Sequence, residues 1–297
     1  MGLDAIRVST AAADLFARAS EILGYDLVAL VREGPEETLR ETRYSQAAIF
    51  VTNVALYRAV GDALKPVVSA GHSFGEFCSL TIANAIGFDD ALRLVNERAL
   101  AMNDAAAQAP GAMNAILGLD AAKIREAVGA ARKHGRVQLA NFNSPQQIVI
   151  SGDVAAVEFA AALALDAGAK RVVALNVSGA WHSELMEPAR VRFAPFVEAA
   201  PFTLPGFDVI SNVDAQPYRD VASIKSHLIA SVTGEVAWHA TTLRMLDEGL
   251  DALVEFGASA VLSPLARRLP GAPVVMHVGD AGGIERLREA LTEPANA

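Results

Sequence analysis

The chain has 297 residues, 52% of them apolar and 20% charged, the balance of a globular protein rather than a disordered one. Its net charge of −9, from 25 basic against 34 acidic side chains, excludes the basic footprint of a nucleic-acid binder. No apolar run approaches the roughly 20 residues that a bilayer crossing needs, and no basic stretch leads into an apolar one at the N-terminus, so neither a membrane span nor a secretion signal is read. The single cysteine, Cys78, excludes an intrachain disulfide and points to a reducing cytoplasm. Its setting in an apolar helical run reads as that of a small buried hydrophobe.

In chain order, apolar residues at helical spacing predict helices over 14–23 and 46–63. A short strand over 66–70 runs into Gly71, and helices over 77–86 and 91–107 follow. Strand, helix, strand, strand, helix, strand then alternate over 112–119, 121–132, 137–140, 147–151, 154–167 and 171–177. Asp120 is placed to cap the first of those helices. This β-α-β-β-α-β order is that of a ferredoxin-like unit. It predicts a small subdomain at 112–177, inserted into a large one made of 1–111 and 178–297. In the second segment of the large subdomain, helices are expected over 184–199, 224–231 and 238–248. Strands are expected over 208–211 and 252–256, and a closing strand and helix over 274–291. Alternation of this kind argues α/β with a largely parallel sheet.

Gly71-His72-Ser73-Phe74-Gly75 sits between the strand at 66–70 and an apolar helix. Gly-x-Ser-x-Gly in that place is a nucleophile elbow: the serine occupies a strained turn, and glycines two residues either side avoid a clash. The helix that follows directs its positive end and free N–H groups at the serine, with the Phe74 N–H as an oxyanion donor. A nucleophilic serine needs a base. Of six histidines, His182 stands out because Ser178-Gly179-Ala180-Trp181 precedes it at the return from the predicted insert. On pattern alone it reads equally as a base or as a satisfied structural histidine. Arg98, on pattern alone, reads as a solvated helix arginine pairing with Glu97 or Asp90.

Gly71-His72-Ser73-Phe74-Gly75-Glu76 resembles the GHSxGE box of the malonyl-CoA:acyl-carrier-protein transacylases. Further segments resemble that family in order and spacing: Arg93-Leu94-Val95-Asn96-Glu97-Arg98 with Met102, Asn141-Phe142-Asn143-Ser144-Pro145-Gln146-Gln147, Val177-Ser178-Gly179-Ala180-Trp181-His182-Ser183, and Ser211-Asn212-Val213-Asp214-Ala215. The resemblance implies a large α/β-hydrolase-like subdomain carrying an inserted ferredoxin-like one. It implies that Ser73 attacks a thioester and that His182, held by a backbone carbonyl near Ser231, is general base and then general acid. Arg98 is implied as the clamp for the substrate carboxylate, with Gln147 and Met102 lining the pocket. Malonyl-CoA and an acyl-carrier protein are the implied partners, and no cofactor is implied because coenzyme A arrives as part of the substrate. Lys170, Arg171, Arg190 and Arg192 are candidates for a basic rim that meets an acidic carrier.

Two departures are legible. Family members open with a strand and a Pro-Gly-Gln-Gly-Ser-Gln loop whose first glutamine gives a second oxyanion N–H, and the sequence begins just after the matching point. Loss of one such donor costs roughly 10²–10³ in rate. Phe256-Gly257-Ala258-Ser259 stands where the family has Gly-Pro-Gly, which implies a loop of different stiffness. Two other readings stay open: a serine hydrolase or thioesterase, whose triad acid would be sought among Asp120, Asp153 and Asp166, and a catalytically weak paralogue kept as a binding subunit.

Overall fold

A computed structural model describes residues 1–292; the last five residues of the predicted 178–297 segment lie outside the described residues. The elements begin with five helices, α1 (Leu3–Val8), α2 (Thr10–Leu23), α3 (Leu27–Glu33), α4 (Glu36–Arg40) and α5 (Thr42–Val60). Strand β1 (Val68–Ser69), α6 (Gly75–Ile82) and α7 (Phe88–Gln108) follow. Then come β2 (Ala112–Leu117), α8 (Ala121–Ala131), β3 (Val137–Ser144), β4 (Gln147–Gly152), α9 (Val154–Asp166) and β5 (Arg171–Ala174). The chain ends with α10 (Glu187–Ala199), β6 (Asp208–Val209), α11 (Val221–Ala230), α12 (Trp238–Leu246), β7 (Ala252–Phe256), α13 (Ser263–Ala266), β8 (Val274–Val278) and α14 (Ala281–Thr292).

These form two compact units. The first comprises Met1–Asn96, Thr203–Val209 and the chain from Met245 onward; the second comprises Glu97–Phe202 and Ile210–Arg244. In the first unit the strands pair in parallel, β1 with β6 and β7 with β8, but as two separate two-stranded sheets rather than the single largely parallel sheet that the alternation led one to expect. Helix α5 forms its spine, with Phe50, Val51, Val54, Ala55 and Leu56 essentially out of water. Arg288 of α14 donates to the Ala59 and Val60 carbonyls at the end of α5, taking up acceptors that a helix C-terminus leaves over.

The early helices were only partly foreseen. Helical spacing marks α2 and α5 but not α1, α3 and α4. Capping signals mark the starts of α2 and α3: the Ser9 hydroxyl accepts from Ala12 N at 3.3 Å, and the Asp26 carboxylate accepts from Ala29 N at 2.8 Å. Helices of five to seven residues are too short for a periodicity to stand out.

The second unit contains the predicted ferredoxin-like core. Four antiparallel strands lie in the order β3-β4-β2-β5, with α8 and α9 packed on one face. That face buries Ile116, Ile124, Val137, Leu139, Ile148, Ile150 and Val157. Met113, Ala115, Ala140 and Val149 form the opposite face, against which Trp181 and Leu175 pack. Both faces are covered, so the strands read as apolar runs rather than as an alternation. Strand β3 continues to Ser144, past the expected end at 140, after a register shift between Leu139 and Asn141. Its free edge meets the segment around Val236: Val236 N donates to Ala140 O at 2.8 Å and Phe142 N to Val236 O at 2.9 Å.

Candidate active site

The elbow lies in the first unit. Ser73 follows β1 and precedes α6, and its backbone sits at φ 54°, in the left-handed region. A non-glycine residue there carries a strain of about 1–2 kcal/mol. Among the described residues only Asn84, His182 and Ala215 share that condition, so two of four such positions are the predicted nucleophile and the predicted base. Such outliers persist where the surroundings over-determine them.

Gly71 explains how the turn closes. A Cβ on it would stand 1.9 Å from both the carbonyl carbon and oxygen of Gly75 and 2.5 Å from Glu76 N. A Cβ on Gly75 would meet nothing within 4 Å. The expectation that both glycines relieve a clash is therefore half right: the crowding is between the Cβ direction of Gly71 and the main chain of Gly75, while the Cβ of Gly75 would point into open space. Gly75 N donates to His72 O at 3.0 Å and Glu76 N to Ser73 O at 3.1 Å, and no such turn bond among the described residues has Phe74 N as its donor. The Ser69 hydroxyl donates to Ser79 Oγ at 2.8 Å, tying β1 to α6. Cys78 is half-buried rather than fully buried, and burial pushes its thiol up to about 12, so little of it is thiolate near neutrality.

The loop after β7 is stiffened without proline. Its residue Gly257 donates to Val278 O and accepts from His277 Nε2 at 2.8 Å. The Glu255 carboxylate accepts from the N–H groups of Val261, Leu262 and Ser263 at 2.9, 2.8 and 2.7 Å. Burial pushes that carboxyl up, but the hydrogen bonds from Leu262, Ser263 and Val261 outweigh it and leave its pKa lowered.

His182, Arg98, Met102 and Gln147 all belong to the second unit. His182 is 4% exposed and stands at φ 58°. Its Nδ1 lies 2.8 Å from Ser231 O and 3.1 Å from Gly234 O. Carbonyls only accept, so Nδ1 carries the proton and Nε2 keeps its lone pair, the tautomer a general base needs. The small residues before it allow close packing: a Cβ on Gly179 would stand 2.7 Å from Ala106 Cβ and from the Trp181 ring.

This arrangement differs from a triad. Asp120 caps α8 through Ala122 N at 2.8 Å, and Asp153 pairs with Arg136 at 3.2 Å. Asp166 lies exposed at the end of α9. The Ser211 hydroxyl comes 2.9 Å from His227 Nδ1, but Asp214 approaches that same nitrogen at 3.9 Å. A triad uses opposite ring nitrogens, so this group is not a second one.

Arg98 is 1% exposed, the largest fully buried side chain of the protein's described residues. The solvated-arginine reading is overturned: Asp90 pairs instead with Arg93 at 3.0 Å. Met102 is buried at 2% exposure, and Gln147 Oε1 accepts from Asn143 Nδ2 at 3.2 Å. Of the proposed basic rim, Arg190 is engaged by Glu187 at 2.6 Å and Arg192 by Asp104 at 2.5 Å. Lys170 and Arg171 are exposed beside and on β5, an edge strand. Among the described residues no helix is long and apolar enough to cross a membrane, and no cluster of potential metal ligands gathers.

A strained serine behind a parallel strand, together with a ferredoxin-like sheet, places the molecule in the class of serine acyltransferases with an α/β and a ferredoxin-like part. Comparison with known proteins narrows this. Residues 1–269 match the acyl transferase domain family, and the chain belongs to it, among its malonyl-CoA:acyl-carrier-protein transacylases. It is 39% identical to the malonyl CoA-acyl carrier protein transacylase of Haemophilus influenzae, over 94% of this chain and 90% of that one. It is 37% identical to the transacylase of the same name from Bacillus subtilis, over 99% and 93%. Its fold matches a malonyl-transacylase solved in complex with its type II PKS acyl-carrier protein (PlMCAT:AntF) at a TM-score of 0.92 and 36% identity, covering 97% and 94%.

Proposed function

We propose that this protein moves a malonyl group from coenzyme A to the phosphopantetheine thiol of an acyl-carrier protein through an ester on Ser73. The reading is carried by Ser73 at φ 54° in a family whose curated relatives are malonyl transacylases. His182 Nε2 takes the proton from the Ser73 hydroxyl as Oγ attacks the thioester carbonyl. The Phe74 N–H, at the positive end of α6, meets the oxyanion that forms. Collapse of the intermediate breaks the carbon–sulfur bond, and the departing coenzyme A sulfur takes the proton from His182. The carrier thiol then gives its proton to His182 and attacks the seryl ester; the bond from the acyl carbon to Ser73 Oγ breaks, and Oγ takes the proton back from His182, which restores both groups.

Arg98 holds the malonyl carboxylate in a bidentate pair, which compensates the cost of keeping a guanidinium out of water. Met102 and Gln147 shape the space around the acyl chain. Lys170 and Arg171 meet the acidic carrier. Arg190 and Arg192 contribute less, because Glu187 and Asp104 already neutralise them.

The test is mass spectrometry of the protein mixed with malonyl-CoA. A malonyl adduct on Ser73, absent in Ser73→Ala and discharged by a carrier thiol, is the expected result. Unmodified wild-type protein would sink the proposal. An adduct discharged by water as fast as by the carrier would favour a hydrolase.

A further inference from the structure

We infer that Gln138 is a positioning residue for the reaction, the clamp that fixes His182 and its carbonyl acceptors in one arrangement. The inference rests on His182 as base in the proposed transfer. Gln138 lies on β3, 44 residues from His182 in sequence. Its Nε2 donates to His182 O at 3.1 Å and to Thr233 O at 2.9 Å, and its Oε1 accepts from Glu184 N at 3.2 Å. Only one orientation of the carboxamide satisfies all three, because the flipped form would turn an acceptor toward two carbonyls.

Each bond has a consequence for the base. The bonds to His182 O and Glu184 N hold both sides of a backbone turn whose φ of 58° is strained. The bond to Thr233 O fixes the middle of the segment whose Ser231 and Gly234 carbonyls accept from His182 Nδ1. A few residues further on, the same segment is fastened to β3 by the main-chain bridge at Val236. Gln138 thus joins donor and acceptors of the His182 hydrogen bond to one strand edge. On its other side Gln138 borders an open surface pocket with Arg125, Arg132 and Glu235.

The experiment compares wild type, Gln138→Leu and Gln138→Glu in the full chain. It reads the rate of malonyl loading per labelled Ser73 and the pH midpoint of its acid limb, which reports protonation of His182. Gln138→Leu is expected to slow loading about 10- to 100-fold with KM little changed, the penalty of a misplaced catalytic group. Its midpoint moves to lower pH, because looser carbonyl acceptors stabilise the imidazolium less. Gln138→Glu is expected to slow loading too, but to move the midpoint up, because a carboxylate favours the imidazolium. The other charged groups nearby, Glu184, Glu235, Arg125 and Arg132, are the same in all three proteins. A purely structural role would lower the amount of labelled protein but leave rate per site and midpoint alone, and that result in both variants overturns the clamp. If Gln138→Leu does not fold, Gln138→Glu decides by the same two readings. Wild type that forms no ester on Ser73 would instead overturn the transfer reading, and the clamp with it.

Discussion

The elbow and the histidine turn solve one problem in opposite ways. Ser73 and His182 both sit in the left-handed region, at φ 54° and 58°. The strain at Ser73 is accommodated locally: Gly71 removes the one Cβ that would strike the turn, and bonds between residues three apart close it. The strain at His182 is held chiefly from a distance, by Gln138, Ser231 and Gly234, with one local bond, from the Ser183 hydroxyl to Ala180 O at 2.6 Å, across the turn. A local solution leaves a motif in the sequence. A distant one leaves only a histidine after small residues.

The largest effect expected from breaking this contrast is at Gly71. Its Cβ would stand 1.9 Å from main-chain atoms of Gly75, which no rotamer can relieve. Gly71→Ala is expected to destabilise the protein by about 3 kcal/mol or more, at or beyond the upper end of ordinary overpacking. Loading of Ser73 should fall at least about 100-fold through displacement of the nucleophile. Gly75→Ala, with nothing within 4 Å of the new methyl group, should change stability by less than about 1 kcal/mol. Urea unfolding of the two variants checks the pair, and equal costs would show that the elbow's sterics are not one-sided.

The contrast also explains what could be read from the sequence. The order of elements from β2 to β5 was legible because short apolar runs alternate there with helical spacing and are punctuated by Asp120, Gly152 or Gly168. Ser73 was legible because its constraints fall within five residues. His182 was ambiguous because Gln138 lies 44 residues before it and Ser231 49 after it. Arg98 was misread on pattern, since nothing local distinguishes a buried helix arginine from a solvated one; only the family resemblance pointed inward. The stiff loop after β7 was missed because the device, a carboxylate gathering three N–H groups, replaces the proline one would search for.

An intermediate effect is expected at Arg98. If the guanidinium holds the malonyl carboxylate, Arg98→Ala removes a charge-assisted pair of about 1.5–3 kcal/mol, or roughly 10- to 150-fold in malonyl loading. Acetyl loading should not fall in step, so the ratio of the two rates carries the result even if the variant is less stable. A ratio that stays at the wild-type value would rule out the clamp.

The smallest effect expected is at Glu255, which asks whether the loop after β7 behaves like the elbow or like the histidine turn. Its contacts are local, six to eight residues away, but they are hydrogen bonds rather than the absence of a side chain. Such bonds depend on charge. The folded-state pKa of Glu255 is lowered, so its contribution to stability is present above the unfolded carboxylate pKa and is lost as pH falls through the folded value. Glu255→Gln replaces an ionised acceptor of three N–H groups with a neutral one, and about 1–2 kcal/mol of stability at neutral pH is expected to go. The difference from wild type should shrink in acid, as the wild-type carboxyl takes up its proton and becomes a neutral acceptor as well. Unfolding measured at neutral pH and again below pH 4 tests this. A stability difference that is the same at both would mean that the three bonds act by geometry alone, which would place the loop with the elbow.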